Sequence, residues 1–255
     1  MIPLKDENPT TRAPIVTIVL IAACVAIFAF VQPRDQGVED ATFSFKHAAI
    51  PCEVVNGRPL TVEEVRQTVQ VGDGTSCQAQ PFGRSLFSGK SVFLAVLYSM
   101  FLHGSWLHLG GNMLFLWIFG NNIEDKKGHV VYLVFYLAAG LAATAAHILV
   151  QPDSTLPVVG ASGAIAGVMG AYLVLYPNVR IRSLIFLGFF VLFRDVAAKW
   201  LLGIWLISQF FISPSSGVAW MAHVGGFVFG VAVGLVWRAA GTTERQLETT
   251  SWPRY

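Results

Sequence analysis

Residues 158–176 read VVGASGAIAGVMGAYLVLY, nineteen positions without a charge. A run of that length and composition is what a helix needs to cross a bilayer. Similar runs lie near 105–121, 130–150, 196–213 and 218–237. Residues 15–31 (IVTIVLIAACVAIFAFV) add an unbroken apolar run of 17. That first run ends in Phe30-Val31-Gln32-Pro33, which lacks the small residues of a cleavage site, so it reads as a retained span. The expected fold is an all-α membrane protein, a bundle of six transmembrane helices with a long first loop.

The composition of the 255 residues agrees. Hydrophobic residues make up 54% and charged residues 13%, where soluble domains carry about 25% charged. Mean hydropathy is +0.59. A soluble globule cannot bury that much apolar surface and still present a polar skin. The net charge of +2, with no basic cluster, speaks against a nucleic-acid partner.

The segments divide as follows. Residues 1–14 precede the first span at 15–31. Residues 32–104 form a long loop, apolar only near its end, where Lys90–Leu102 either lies in the interface or lengthens the second span. Residues 105–238 hold spans two to six, and 239–255 form a tail. Basic residues set the orientation. Lys5, Arg12, Lys126, Lys127, Arg180, Arg182, Arg238 and Arg245 all fall on one side, and the loops at 151–157 and 213–217 have no Lys or Arg. Both termini are therefore expected in the cytoplasm of a cell with the protein in its inner membrane, and the long loop outside. Residues 184–193 (LIFLGFFVLF), flanked by Arg182 and Arg194, are too short to cross and are expected to be re-entrant or interfacial.

Of the three cysteines, Cys24 lies inside span one, as a small apolar residue would. Cys52 and Cys77 share the outer loop, where an oxidising compartment permits a disulfide.

Polar groups inside spans are costly and so are functional candidates. With the N-terminus inside, spans two, four and six all begin at the outer face. Each carries a polar residue about three to five positions from its start, His108, Ser162 and His223, and span two adds Asn112 one turn after His108. Ser162, Ala166 and Gly170 share one helix face; His223, Gly226, Gly230 and Gly234 share another. Small residues at that spacing let membrane helices approach closely, which would bring Ser162 beside His223.

Taken singly, these residues have plainer readings. A membrane serine usually bonds back to its own helix, and a membrane histidine usually packs. The combination at one depth is what points to nucleophilic catalysis, with His223 taking the Ser162 hydroxyl proton. No carboxylate falls in the outer halves of the spans, and the external Asp153, in the loop before span four, is not placed behind His223 by its position alone, so packing is expected to orient the His223 ring. His108, Asn112 and the Ser162 N–H are candidate donors to an oxyanion. No HExxH is present, His103 and His108 do not share a helix face, and no metal or cofactor is expected. His147 reads as a packing residue, and Glu124 as a helix-end cap.

Gly160-Ala161-Ser162-Gly163 resembles the GxSG motif of the rhomboid intramembrane serine proteases. Ala222-His223-Val224-Gly225-Gly226 with Gly230 resembles that family's AHxGGxxxG helix, and His108 through Asn112 its HxxxN element. The flanks at His103–His108 and Gly120–Glu124 are similar too. The compact six-span form is similar to bacterial members. The resemblance implies cleavage of transmembrane protein substrates within the bilayer near its outer leaflet. It implies Ser162 as nucleophile, His223 as base, and His108, Asn112 and the Ser162 amide around the oxyanion. It also implies lateral substrate entry between spans two and five, under a cap at Ser213–Gly217. Two features depart from the pattern. Ala166 stands where some members carry a tyrosine against the histidine, and residues 33–104 contain no tryptophan for the Trp-Arg pair some members have there.

The alternative is a non-catalytic relative that binds or escorts transmembrane helices. Such proteins typically lack the serine or the histidine, and this chain has both. A small transporter would show internal repeats and a midplane polar site, and neither is apparent.

Overall fold

The computed structural model describes residues 1–33, 37–78, 83–188, 190–213 and 217–250. The elements run β1 (Ile2–Asp6), α1 (Ile15–Phe30), α2 (Val38–His47), α3 (Pro51–Asn56), α4 (Val62–Arg66), α5 (Val92–Ser99), α6 (Trp106–Lys127), α7 (His129–Val150), α8 (Ser162–Leu175), β2 (Arg180–Leu187), β3 (Phe190–Ala197), α9 (Ala198–Gln209) and α10 (Trp220–Thr250). A π-helical turn, Gln67–Val71, continues α4.

The architecture is mostly helical and centres on α8. Every residue from Gly163 to Tyr172 is buried, so this helix is covered on all sides. It packs against α6, α7, α9 and α10. Two helices, His129–Val150 and Trp220–Gly241, are long and apolar enough to cross a membrane by length and composition; Ile15–Phe30 and Ser162–Leu175 are apolar but shorter.

The expectation of an all-α chain needs correction. Residues 184–187 and 190–193 are strand and not helix: they form the outer part of a β-hairpin, β2–β3, paired antiparallel from Arg180↔Ala197 to Leu187↔Phe190. Gly188 supplies the positive φ at the turn, +61°. Ten apolar residues with a central glycine fit a hairpin better than a helix, because β-branched and aromatic side chains pack well on a pleated surface. Ile2–Asp6, expected only as part of a leading segment, pairs antiparallel with β2 and completes a three-stranded sheet in the order β1-β2-β3. Buried Asp6 ties the sheet to the bundle, accepting from Asn122 Nδ2 (2.6 Å) and Tyr172 OH (2.8 Å).

Boundaries also shift. Residues 92–99 form a helix of their own, separate from α6. The last helix does not stop near 237; α10 runs on to Thr250, and residues 251–255 of the expected tail lie outside the described residues. Glu124 does cap a helix, but the helix is α1. Its carboxylate accepts from the Val16 and Thr17 amides and from Thr17 Oγ1, supplying acceptors for a helix start with no side-chain cap of its own.

The segment between α1 and α5 is an ordered connecting domain. Cys52 and Cys77 are joined in a disulfide with a Cα–Cα distance of 5.8 Å. Arg58 grips the Glu64 carboxylate with both terminal nitrogens, at 2.9 and 2.8 Å. Lys90 pairs with Glu53 where both side chains are buried.

Candidate active site

The site begins with how closely α8 and α10 approach. A Cβ on Gly226 would run into the carbonyl of Gly163. One on Gly230 would strike that of Gly167, and one on Gly170 that of Phe227. The small-residue faces read from the sequence do meet, though α8 presents Gly163, Gly167 and Gly170 rather than the row through Ser162 and Ala166. Gly163, Gly167 and Gly225 in turn sit against Ala143, Ala139 and Ala146 of α7. Backbone against backbone fixes the distance and rotation of the two helices.

That fixed pairing places the residues at their ends. Ser162 is the first residue of α8, following Ala161 at the cap. It therefore opens its helix and is not a full turn inside it, because Val158–Gly160 lie outside the helix. His223 lies in the first turn of α10. The Ser162 Oγ to His223 Nε2 distance is 2.8 Å.

The other side of the imidazole is not left to packing. His223 Nδ1 lies 2.7 Å from Gln209 Oε1, at the end of α9. Gln209 is 5% exposed, and its Nε2 donates to the Trp205 carbonyl at 3.0 Å. The amide is thereby oriented with its oxygen toward the imidazole. An acceptor facing Nδ1 places the proton there and leaves Nε2 free to accept from the serine hydroxyl. Sequence reasoning overlooked Gln209. The signal was present as a single amide near the end of an otherwise apolar span, in Ile207-Ser208-Gln209-Phe210-Phe211. The Trp205 ring lies 5.9 Å from the imidazole by centroids.

His108 comes from α6. Ser105 caps that helix, accepting from the His108 amide at 3.1 Å, and so sets where the ring starts. The Gly104 amide points at His108 Nδ1 at 3.4 Å, which leaves Nε2 as the protonated nitrogen. A Cβ on Gly160 would come within 3.0 Å of His108 Cε1 and Nε2, and Gly160 has a φ of +129°. The first glycine of the GxSG stretch is thus required by both backbone and space. Asn112 is buried and gives one amide hydrogen to the His108 carbonyl at 2.9 Å. Among the described residues, the Ser162 N–H has no backbone acceptor.

These groups line one cavity of about 640 Å³. Ser162, His223, His108 and Asn112 share it with Trp205 and His147, the last buried at 5% exposure with Nδ1 unpartnered. His147 therefore faces the cavity, and a plain packing role does not describe it. The expected cap, Ser213–Gly217, includes residues 214–216, which lie outside the described residues; Gly217 and Val218 reach the cavity edge. His103 is buried beside His108, with ring centroids 5.3 Å apart. Its backbone N–H and carbonyl are both bonded to the Gln32 side chain. Among the described residues, one His/Cys/carboxylate grouping is tight enough to suggest a metal, Cys52–Glu64–Cys77, and its two sulfurs are bonded to each other.

A family model described as the rhomboid domain matches residues 90–240. The chain belongs to the rhomboid family. The mitochondrial Rhomboid protein 1 of Saccharomyces cerevisiae is 28% identical over 162 residues, covering 60% of this chain and 44% of that protein. The mitochondrial Presenilin-associated rhomboid-like protein of Homo sapiens is 32% identical over 151 residues, 56% of this chain and 38% of that protein. Rhomboid protease GluP of Bacillus subtilis is 40% identical over 78 residues, 31% of this chain and 15% of that protein. The chain matches less than half the length of each of these relatives. Family membership makes this a membrane protein, and relatives from organelles and from a bacterium share it. The rhomboid match starts at Lys90, so the connecting domain with its disulfide lies outside it.

Proposed function

We propose that this chain is an intramembrane serine protease that hydrolyses peptide bonds in or near the transmembrane segments of membrane-protein substrates. The observation that carries the reading is the line Ser162 Oγ, His223, Gln209, with 2.8 and 2.7 Å links, at the wall of a cavity that also holds His108 and Asn112. His223 Nε2 takes the hydroxyl proton as Ser162 Oγ bonds to the scissile carbonyl carbon. The carbonyl oxygen becomes an oxyanion, facing His108 Nε2–H, the Ser162 N–H and the free hydrogen of the Asn112 amide. The C–N bond then breaks and the imidazolium gives its proton to the departing amine. Water, entering by the same cavity and deprotonated by His223, releases the acyl group from Ser162. Gln209 holds the ring in the tautomer both steps need.

The reading takes α1, α6, α7, α8, α9 and α10 as six spans, with both termini in the cytoplasm. At about 1.5 Å per residue, a helix of the length of α8 reaches only about 21 Å of a hydrocarbon core of about 30 Å. A central helix that stops short leaves room for water above its first residue, which is Ser162. A lateral path between α6 and α9 fits the fact that these helices do not pack on each other. Reporters fused after Arg245 should stay cytoplasmic and reporters placed in 55–75 should be external; the reverse pattern would overturn the topology.

The test of function is cleavage of a transmembrane substrate in proteoliposomes. Ser162→Ala and His223→Ala should each abolish cleavage in protein that still folds and inserts. Cleavage unchanged by either substitution would overturn the reading. Tight retention of the substrate without cleavage by the wild type would favour a helix-binding relative.

A further inference from the structure

One wall of the cavity comes from the segment Ser154–Gly160, which joins α7 to α8 and delivers Ser162. Loops of this length usually satisfy their backbone with water or with themselves. Here the partners come from elsewhere. The Cys52 amide donates to the Ser154 carbonyl at 2.9 Å. The Thr155 amide donates to the Gly74 carbonyl at 2.8 Å, and the Val158 amide to the Ala49 carbonyl at 2.8 Å. Thr155 Oγ1 lies 2.6 Å from Thr68 Oγ1, and both hydroxyls are buried. Ala49 in turn donates to Ser99 Oγ, and Gly160 donates to the Ser99 carbonyl. Four of these wall contacts, at residues 154, 155 and 158, are made by the connecting domain.

The contacts fall on two sides of the disulfide. One jaw is Ala49–Cys52, at the start of α3. The other is Thr68–Gly74, which leads directly into Cys77. The two jaws are tied without covalent help by the apolar cluster of Ile50, Cys52 and Leu60 and by Arg58, which bonds both the Glu64 carboxylate and the Gln78 carbonyl. The Cys52–Cys77 bond adds the covalent link between them. Cys52 contributes its amide to the wall and its sulfur to the bond, so the grip and the covalent link share one residue. Leu156, on the cavity side, rests on Gly74, where even a Cβ would come within 3.0 Å of it. The position of Leu156 therefore follows the second jaw.

We propose that the connecting domain is a disulfide-closed clamp that positions the Ser154–Gly160 wall, and that substrate binding by the protease depends on it. This rests on the protease reading for its consequence, and on the hydrogen bonds alone for the clamp. Cys52, Thr68 and Cys77 are positioning residues; none touches the reacting atoms. The nucleophile and base are held separately, by the α8–α10 contact and by Gln209. Loss of the clamp should therefore weaken substrate binding and leave the Ser162–His223 pair competent.

The experiment compares the full chain with Cys52→Ser/Cys77→Ser and, separately, with Thr68→Val, which keeps the disulfide and removes the hydroxyl facing Thr155. Steady-state cleavage of a transmembrane substrate should show KM raised about tenfold in the double variant, with kcat changed by less than about twofold. The rate at which a small phosphonate labels Ser162 should also stay within about twofold. Thr68→Val should raise KM by a smaller factor in the same direction. Amide hydrogen exchange reads the clamp without any activity: Thr155 and Val158 should exchange at least about tenfold faster in the double variant, while Gly226 and Phe227 stay protected. Unchanged KM together with unchanged exchange at Thr155 and Val158, in protein shown to lack the disulfide, would overturn the proposal. So would a fall in kcat and labelling with KM unchanged, because the domain would then act on the fold as a whole. A wild type that neither cleaves nor is labelled, yet shows the exchange pattern, would remove the protease reading and leave the clamp standing.

Discussion

Where α10 meets α8, backbone lies on backbone, and a single added methyl at Gly226 or Gly230 has nowhere to go. Where α9 meets the same two helices, side chains do the work. Trp200, Ile204 and Ile207 are exposed, and a Cβ on Gly203 would meet nothing within 4 Å. Yet both contacts hold the same imidazole, α10 by carrying it and α9 through one amide. One seat is rigid because its geometry admits no alternative. The other is set by a hydrogen bond and can be altered without disturbing the helices. On the protease reading proposed above, a nucleophile kept fixed while a transmembrane segment enters beside it would need that division.

The difference can be broken first on its rigid side. Gly230→Val places a branched side chain against the Gly167 carbonyl. Overpacking of this kind costs about 1–3 kcal/mol and more where backbone is the obstacle. Thermal unfolding in detergent should show a large loss of stability and cleavage should vanish with it. A melting temperature near that of the wild type would mean that α8 and α10 do not approach as described.

Next comes the adjustable side. Gln209→Ala removes the acceptor facing His223 Nδ1 and leaves the helices in contact. The expected outcome is a fall in kcat of about 10–100-fold, with unfolding unchanged. Gln209→Glu keeps an acceptor in place and should recover most of the rate. Equal losses in both variants would show that the position matters for packing and not for orienting the ring.

A smaller effect belongs to the frame of the clamp. Burial alone would raise the Glu64 carboxyl, but hydrogen bonds from Arg58, from the amides of Thr61 and Gln78 and from the Thr61 hydroxyl outweigh it, holding it at about 2 against a usual 4.5. A depressed carboxyl contributes stability above its unfolded value and loses it as pH falls. The connecting domain should loosen between about pH 4.5 and 2, seen as faster exchange at Thr155, before the α8–α10 contact responds. The smallest effect is expected from Gly203→Ala in α9, where open space and a better helix former should leave stability unchanged or raise it by up to about 1 kcal/mol. The same change at Gly226 should be damaging, and equal outcomes at the two positions would erase the comparison.

Much of the rigid seat was legible in the sequence, because it rests on periodicity. Glycines at offsets of three and four near a polar residue state a close contact, although the row that α8 uses starts at Gly163, beside Ser162 and not through it. Ser162 and His223 line the cavity for that reason; His108 and Asn112 reach it from α6. Gln209 was not found because orientation by a neutral amide leaves no motif; the search was for a carboxylate, and none lies there. The hairpin escaped because an apolar run of ten has no period that separates a buried helix from a strand, and the partner strand, Ile2–Asp6, lies almost 180 residues away. The grip of the connecting domain on Ser154–Val158 escaped because it is made almost wholly by backbone groups, which every sequence has. The disulfide was legible as a possibility, but what it holds was not.

The most direct test of the account is labelling by a serine-reactive phosphonate, with the modified peptide mapped in the wild type, His223→Ala and Gln209→Ala. The account predicts labelling at Ser162 alone, abolished by His223→Ala and slowed by Gln209→Ala in protein that remains folded. Absence of labelling in the folded wild type, together with no cleavage of a membrane-embedded substrate, would contradict it, as would labelling at Ser162 that persists unchanged without His223.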